Sequence, residues 1–376
     1  MPIEQTCSTS GTNRYITTAI PYVNAAPHIG FALEVVQADT IARLYRRQGS
    51  NVRLQAGTDE NSIKNVQAAE AAGIPVAELV KQNAAQFIAL KTNLNLSYDD
   101  FIRTSADARH RRGVEWLWKA CFERGDIYRR AYSGLYCTDC EQFYKIADLD
   151  EGRCPEHGTK PELIEEENWF FRLSRYEDAL GGLYARREIE VIPETRRNEV
   201  LSWIDGGLED FSISRSAARA GGWGIPVPGD PDQVIYVWFD ALGNYLTALG
   251  YGSDDDNLSR WWTEAASREH VIGKASYASM RFTGPPCCCP QGCPCRRVFL
   301  SMVMSPPRDA RSASPQATPS IPHHWRSNWG RTRCAIFCYA TSARPAMAIS
   351  RMRDSGRLTN PSLPDNLATS CIVCSA

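Results

Sequence analysis

The sequence predicts an α/β protein built on a parallel sheet, and three observations carry that expectation. A short apolar, β-branched run, Ile16-Thr17-Thr18-Ala19-Ile20, gives way at Pro21 and Pro27 to a turn rich in small residues. Such a run suits a strand of a parallel sheet buried on both faces. After Gly30 a helical period follows, with Leu33, Val36, Ile41 and Leu44 three to five residues apart, and a second strand at 52–56 completes β-α-β over residues 14–74. The polar loop Gly57-Thr58-Asp59-Glu60-Asn61 then falls at a strand's C-terminal end, where open parallel sheets bind ligands.

Taken in order, the first strand covers 15–20 and the first helix about 31–47, with Gly49 placed to end it. A strand, a tight turn and a helix start together make a phosphate site. The helix N-terminus offers unpaired N–H groups and partial positive charge, Gly30 lets a ligand approach the backbone, and His28 stands where a donor could reach a phosphate. An ordinary strand-to-helix corner fits the local pattern equally well. Helices are expected over 62–72 and 75–95, broken at Gly73-Ile74-Pro75, and again over 107–131, with Trp116, Leu117, Cys121 and Phe122 on its apolar side. Beyond an acidic and aromatic stretch around Glu165–Phe171, a strand is expected at 234–239, a helix from Asp240 through Tyr245, and a short strand at 269–274. Tyr236, Trp238 and Tyr245 are read as core or as pocket.

Cys137-Thr138-Asp139-Cys140 and Cys154-Pro155-Glu156-His157, separated by 13 residues, have the spacing of a zinc knuckle. Two thiolates on one turn and a Cys/His pair on another close a tetrahedron with no open position, so the zinc is expected to be structural. Gly152 and Gly158 supply the tight turns.

The near-neutral charge, 42 Lys+Arg against 43 Asp+Glu, conceals a break at Lys274. Residues 275–376 hold 12 Arg and three Asp but no Lys or Glu, so they are about +9, and they carry nine of the 14 Cys and 12 of the 22 Pro. No run of 18 apolar residues points to a membrane span, and the N-terminus lacks a secretory apolar core, so a cytoplasmic location is expected.

In order, PYVNAAPHIG, AGTDEN, the Cys/His knuckle, DFSISR, WGIPVP, YVWFDALGNY and HVIGK make a set that resembles the methionyl-tRNA synthetases, a family of class I aminoacyl-tRNA synthetases. The resemblance covers about residues 13–274. It implies a Rossmann-like nucleotide-binding domain in two parts, 1–119 and 226–274, around an inserted connective-peptide domain at 120–225 that carries the zinc. Residues 275–376 are expected to be a Cys/Pro/Arg-rich disordered tail. The implied activity is ATP- and Mg²⁺-dependent activation of methionine to methionyl-adenylate, with transfer to tRNA(Met). The resemblance assigns catalysis to His28 and Gly30, and ATP binding to Asn24, His28, Gly30, Phe31 and Lys274. It assigns the methionine side chain to Ile20, Tyr22, Val237, Trp238, Ala241 and Tyr245, and the α-amino group to Asp59. Alternatives are a zinc-stabilised nucleotide- or RNA-binding remnant, and another class I synthetase.

Two positions depart from the family pattern. Phe31 stands where a second His usually ends the signature, and Asn61 stands where the acidic loop often continues to His. A phenylalanine cannot donate to a phosphate. After Lys274 the family leads one to expect the rest of the methionine pocket, a Lys-Met-Ser-Lys-Ser-type loop and a helical anticodon-binding domain, none of which is written in 275–376. Codons can be chosen for 275–295 that, read from the third base of each preceding codon, spell Gly-Val-Ile-Arg-Phe-His-Ala-Val-Tyr-Trp-Pro-Ala-Met-Leu-Leu-Ser-Ala-Gly-Leu-Pro-Leu. The same phase over 308–319 allows Gly-Arg-Lys-Ile-Ser-Lys-Ser-Ala-Gly-Asn-Thr. A base lost near codon 274 accounts for both. The rival is a genuine basic tail that binds RNA electrostatically; Cys371-Ile372-Val373-Cys374 lacks a second pair of matching spacing.

Overall fold

Tyr15 and Ile16, adjacent on the first strand, are both wholly buried but in two different cores. That alternation defines the architecture: a sheet covered on both faces. The structure is a computed structural model and describes residues 11–137, 142–144, 146–155, 158–253, 256–273 and 298–303. Lys274, Cys140 and His157 lie outside these residues.

The first half of the sheet is β1 (Asn13–Thr18), β2 (Asn51–Thr58) and β3 (Asp100–Arg103), connected by α1 (Ile29–Arg47), then α2 (Ile63–Ala72) and α3 (Val76–Asn93). Phe31, Val35, Ala38, Ala42 and Tyr45 recur at helical spacing on α1 and meet Ile16, Leu54, Val80, Phe87 and Val271 in one core. Burying a side chain such as Ile16 contributes on the order of 1.5–3 kcal/mol.

The expected helix over 107–131 is shorter, α4 (Ala108–Glu123), because Gly125 turns the chain at φ 71°. The chain then becomes an antiparallel sheet of β4 (Ile127–Cys137), β5 (Gln142–Tyr144), β6 (Glu162–Phe171) and, further on, β8 (Phe211–Ser212). Leu117 and Cys121 are buried as expected. Trp116 and Phe122 are not: they are 55% and 52% exposed, since each lies about 100° around the helix from its buried neighbour.

Between β6 and β8 the chain forms α5 (Glu177–Ala185), β7 (Glu190–Ile192) and α6 (Glu194–Asp205). It continues through β9 (Ser214–Ser216), β10 (Pro226–Val227) and β11 (Asp230–Ile235), which form a small antiparallel sheet, then α7 (Val237–Thr247) and β12 (Ser267–Gly273). The strand expected at 234–239 therefore ends early. Val237, Trp238 and Ala241 stand on a helix, where Val237, Ala241 and Tyr245 share one face at four-residue spacing.

Two findings bear on the expected domain plan. Val298–Val303, within the tail expected to be without fold, forms β13 and pairs parallel with β12 from Arg268↔Val298 to Gly273↔Val303. The apolar run Val298-Phe299-Leu300 between Arg297 and Pro306 carries that strand, and composition averaged over 102 residues hid it. Second, β7, inside the stretch expected to be a separate insertion, pairs with β13 and closes the six-stranded parallel order β3-β2-β1-β12-β13-β7. One core also runs from Val114 through Ile127, Phe171, Leu180 and Ile213 to Phe239 and Tyr245. Burial is thus continuous across both expected boundaries, 119/120 and 225/226.

Candidate active site

The crevice lies at the C-terminal ends of β1 and β2, and its first wall is the start of α1. His28 is the N-cap residue, extended at φ −96° and ψ 166°, and its Nδ1 accepts from the backbone N–H of Gly30 at 3.1 Å and of Phe31 at 3.3 Å. Two donors on Nδ1 leave the ring proton on Nε2, so the neutral ring offers Nε2–H as its one free donor. Partial burial also lowers the His28 pKa, which keeps the ring neutral. Gly30 also leaves room for the ring. A Cβ there would come within 3.0 Å of the His28 Cε1 and Nδ1, so the glycine makes the seat for the ring. Asn24 is exposed in the preceding turn. Phe31 points elsewhere than its assigned ATP site: it is 6% exposed and meets Phe87 edge-on at 5.3 Å in the core under α1.

The second wall is the acidic loop. The Asp59 N–H donates to the Pro21 carbonyl at 2.8 Å, and Asp59 and Tyr22 form a parallel bridge, so the two motif loops are joined by backbone. The Asp59 side chain is nearly buried, while Ile20 and Tyr22 are half-buried beside it. Gly57 permits the approach, since a Cβ there would meet the Ile102 carbonyl at 2.6 Å and Ile20 Cγ2 at 3.0 Å. Beneath the loop, Glu60 is fully buried. Its carboxylate accepts from Arg103 Nε at 2.7 Å and Nη2 at 3.1 Å, from Thr58 Oγ1 at 2.9 Å and from Ser105 Oγ. A buried carboxylate satisfied this completely fixes the backbone around it.

The third wall is α7, which runs against the strands. Its late residues lie over mid-strand, where Tyr15 Oη donates to the Tyr245 carbonyl at 3.0 Å and Gln55 Nε2 to Asn244 Oδ1 at 2.6 Å. Its first turn reaches the loop, where Asn61 Nδ2 donates to Asp240 Oδ2 at 2.6 Å. The N-terminus of α7 therefore opens on the crevice with Val237 and Ala241 buried and Trp238 half-buried. Tyr245 lies deep, its hydroxyl donating to the Thr18 carbonyl at 3.4 Å and its ring 4.7 Å from His270.

Sequence reasoning missed the floor. Glu34 on α1 is 4% exposed, and its oxygens accept from the Ala19 N–H at 2.8 Å and the Gly273 N–H at 2.7 Å. It thereby ties the C-terminal ends of β1 and β12. Desolvation pushes its pKa up to about 7, against the two N–H donors that favour the charge. Beside it, His270 Nδ1 lies 2.5 Å from Thr17 Oγ1, and burial, then the Arg268 charge, lowers its pKa to about 4. The one available signal was a lone carboxylate inside the apolar stripe Phe31–Val36.

The model of one protein family, tRNA synthetases class I (M), matches residues 14–157 and 144–278, which include the strand-turn-helix corner, the acidic loop and the aromatic helix of this crevice. The chain belongs to this synthetase family. It is 46% identical over 267 residues to methionine–tRNA ligase of Mycobacterium leprae, covering 69% of this chain and 48% of that protein. Over 264 residues it is 44% identical to the Brucella suis enzyme, covering 69% of this chain and 50% of that protein. The chain thus spans about half the length of the curated relatives it matches. Among solved structures, Mycobacterium tuberculosis methionyl-tRNA synthetase in complex with methionyl-adenylate superposes with TM-score 0.78 and 38% identity, over 87% of this chain and 64% of that one. Its apo form gives 0.64 and 38%, over 78% and 56%.

In this member of the synthetase family, the two described knuckle cysteines both contact Thr159. Cys137, at the end of β4, and Cys154 are each 1% exposed, and both meet Thr159: Cys137 Sγ lies 3.4 Å from Thr159 Oγ1, and the Cys154 N–H donates to the Thr159 carbonyl at 2.8 Å. Gly152 and Gly158 take positive φ, 76° and 69°, as the expected turns require. Two buried cysteines beside glycine turns are of the residue type that a soft tetrahedral metal takes, while Cys140 and His157 lie outside the described residues. A shallow cleft between Asn61, Tyr136, Arg215, Arg219, Trp223 and Val237 opens beside the crevice. Its arginines have internal partners. Arg215 Nη1 donates to the Ser214 carbonyl at 2.7 Å, and Arg219 pairs with Glu166 at 3.4 Å. No helix among the described residues is long and apolar enough to cross a membrane.

Proposed function

We propose that this chain carries the methionine-activation site of a methionine–tRNA ligase. The observation that supports it most directly is the joining of Tyr22 and Asp59 at the strand ends opposite the first turn of α7. That arrangement sets one buried carboxylate against an apolar, aromatic wall, the pairing that an unbranched thioether amino acid requires. Asp59 holds the α-ammonium of methionine, and Ile20, Tyr22, Val237, Trp238, Ala241 and Tyr245 surround its side chain. ATP lies along the start of α1 by Asn24 and Gly30, with Mg²⁺ on its phosphates.

A methionine carboxylate oxygen attacks the α-phosphorus in line, the bond to the bridging oxygen breaks, and pyrophosphate leaves. His28 Nε2–H donates to the developing charge, and the α1 N-terminus adds to it. A single preorganised donor of this kind is worth about 10²–10³ in rate. The aminoacyl group then passes to the terminal ribose of tRNA(Met). The Phe31 side chain supplies nothing to the phosphates in this reading, and Lys274 remains assigned to ATP by the resemblance alone. Cys137, Cys140, Cys154 and His157 would hold a structural zinc, which would shape the turn; chelation should release one equivalent.

Residues 275–376 read as off-frame, and the family match ending at residue 278 supports that reading. Methionine-dependent ATP–pyrophosphate exchange is the test. Little or no exchange is expected of this chain, and turnover is expected to return when the frame after codon 274 is restored. A frame-restored chain that binds a methionyl-adenylate analogue yet exchanges with leucine or valine instead would overturn the substrate assignment.

A further inference from the structure

Asp240 lies in the first turn of α7 and is wholly buried, yet it points away from the methionine wall made by Val237, Ala241 and Tyr245. Its two oxygens serve two other elements. Oδ2 accepts from Asn61 Nδ2 at 2.6 Å, in the loop after β2, and Oδ1 is paired with Nε2 of His110 on α4. The other ring nitrogen of His110, Nδ1, lies 2.8 Å from Thr247 Oγ1, at the far end of the same helix. His110 is 0% exposed, and with Nε2–H donating to the carboxylate, the Thr247 hydroxyl donates to Nδ1. One imidazole therefore grips α7 at both ends. Packing holds that grip in place, because a Cβ on Gly113 of α4 would meet Thr247 Cγ2 at 2.4 Å.

The consequence falls on Asn61. With α4 and α7 locked together, the free oxygen of Asp240 is a fixed anchor, and the amide it holds stands two residues from Asp59. The Asp59 backbone is in turn bonded to Pro21 and bridged to Tyr22. We propose that Asp240 is a positioning residue for amino-acid recognition: through Asn61 it sets where the Asp59 carboxylate stands relative to the side-chain wall on α7. It does so without touching methionine. This gives the departure at position 61 a physical meaning. An amide keeps the donor that Asp240 needs and does not titrate, so the tie holds across the pH range in which a histidine changes charge. The inference rests on the methionine reading of the crevice.

The test is calorimetric binding of two ligands to the full chain with the frame after codon 274 restored: methionine, and 4-(methylthio)butanoate, which has the same side chain without the α-amino group. Asp240→Ala and Asn61→Ala should each weaken methionine by about 10-fold or more, since displacing a placed group by about 1 Å costs on the order of 10²-fold. Both should leave the deamino analogue unchanged. Asp240→Asn should restore most of the affinity, because its oxygen still accepts from Asn61 and its amide can donate to the other tautomer of His110. Asn61 sits in a loop, so its variant keeps the question answerable if Asp240→Ala fails to fold. Equal loss of both ligands, or methionine affinity unchanged in Asn61→Ala, would overturn the proposal. A frame-restored chain without substitutions that bound neither ligand would overturn the function reading as well, which separates the two failures.

Discussion

The Nδ1 atom of His28 accepts from the Gly30 N–H at 3.1 Å, and the hydrogen in place of a Cβ on Gly30 is what lets the ring lie there. Cap and proposed catalytic donor are therefore one side chain. Replacing Gly30 by Ala gains about 1 kcal/mol of helix propensity and loses about as much in capping when the ring is pushed out. Melting temperature should thus change little, while affinity for ATP falls. Equal ATP affinity in Gly30→Ala and wild type, by calorimetry, would contradict the seat assigned to the glycine.

Glu34 makes stability depend on pH. Its folded pKa of about 7 lies above the ordinary 4.5, so between those values the folded chain holds the proton more tightly than the unfolded chain. Its contribution is greatest below about pH 4.5 and declines as pH rises to about 7, a difference of about 3 kcal/mol. Glu34→Gln should remove that component, so its stability difference from wild type in urea should slope across this window and flatten above it.

His270 acts in the opposite sense over nearly the same range. Held neutral with a folded pKa near 4, it contributes stability that is fully present above the ordinary 6.5 and is lost as pH falls toward 4. Its span is also about 3 kcal/mol. The wild-type profile should therefore be flatter than that of either variant. His270→Asn should become relatively more stable as the solution is acidified, opposite in slope to Glu34→Gln, and parallel slopes would count against both assignments.

Phe31 is a core residue, and restoring the family's more usual residue should not restore a function. Phe31→His exchanges an edge-on contact with Phe87 for a polar ring in an apolar site, at a cost of roughly 2–3 kcal/mol. Urea denaturation should register the loss, and ATP affinity should not improve. A gain in ATP affinity would mean that position 31 can face the phosphates.

Much of the crevice was legible because its pieces are local. A strand running into a capped helix, the loop after β2 and the x2 spacing of Cys137 are each written within a few residues. What was not legible depended on distance along the chain. Glu34 reads as an odd carboxylate on an apolar stripe until Gly273, 239 residues away, is seen donating to it. Asp240 reads as a surface acid at a helix start until Asn61 and His110 converge on it. The expected strand at 234–239 ends at Ile235 because an apolar aromatic run satisfies either period, and from Val237 the chain packs as a helix against Tyr15 and Gln55.

By itself the sequence determined the family, the α/β class, the order of the motifs and the break in composition at Lys274. These follow from residue identity and local spacing. Only the tertiary structure decided that β7 and β13 complete the sheet, that Phe31 turns into the core, and that Gly30 serves the His28 ring. The reason is that burial and hydrogen-bond partners belong to pairs of residues, and one member of a pair does not specify the other until the chain has folded.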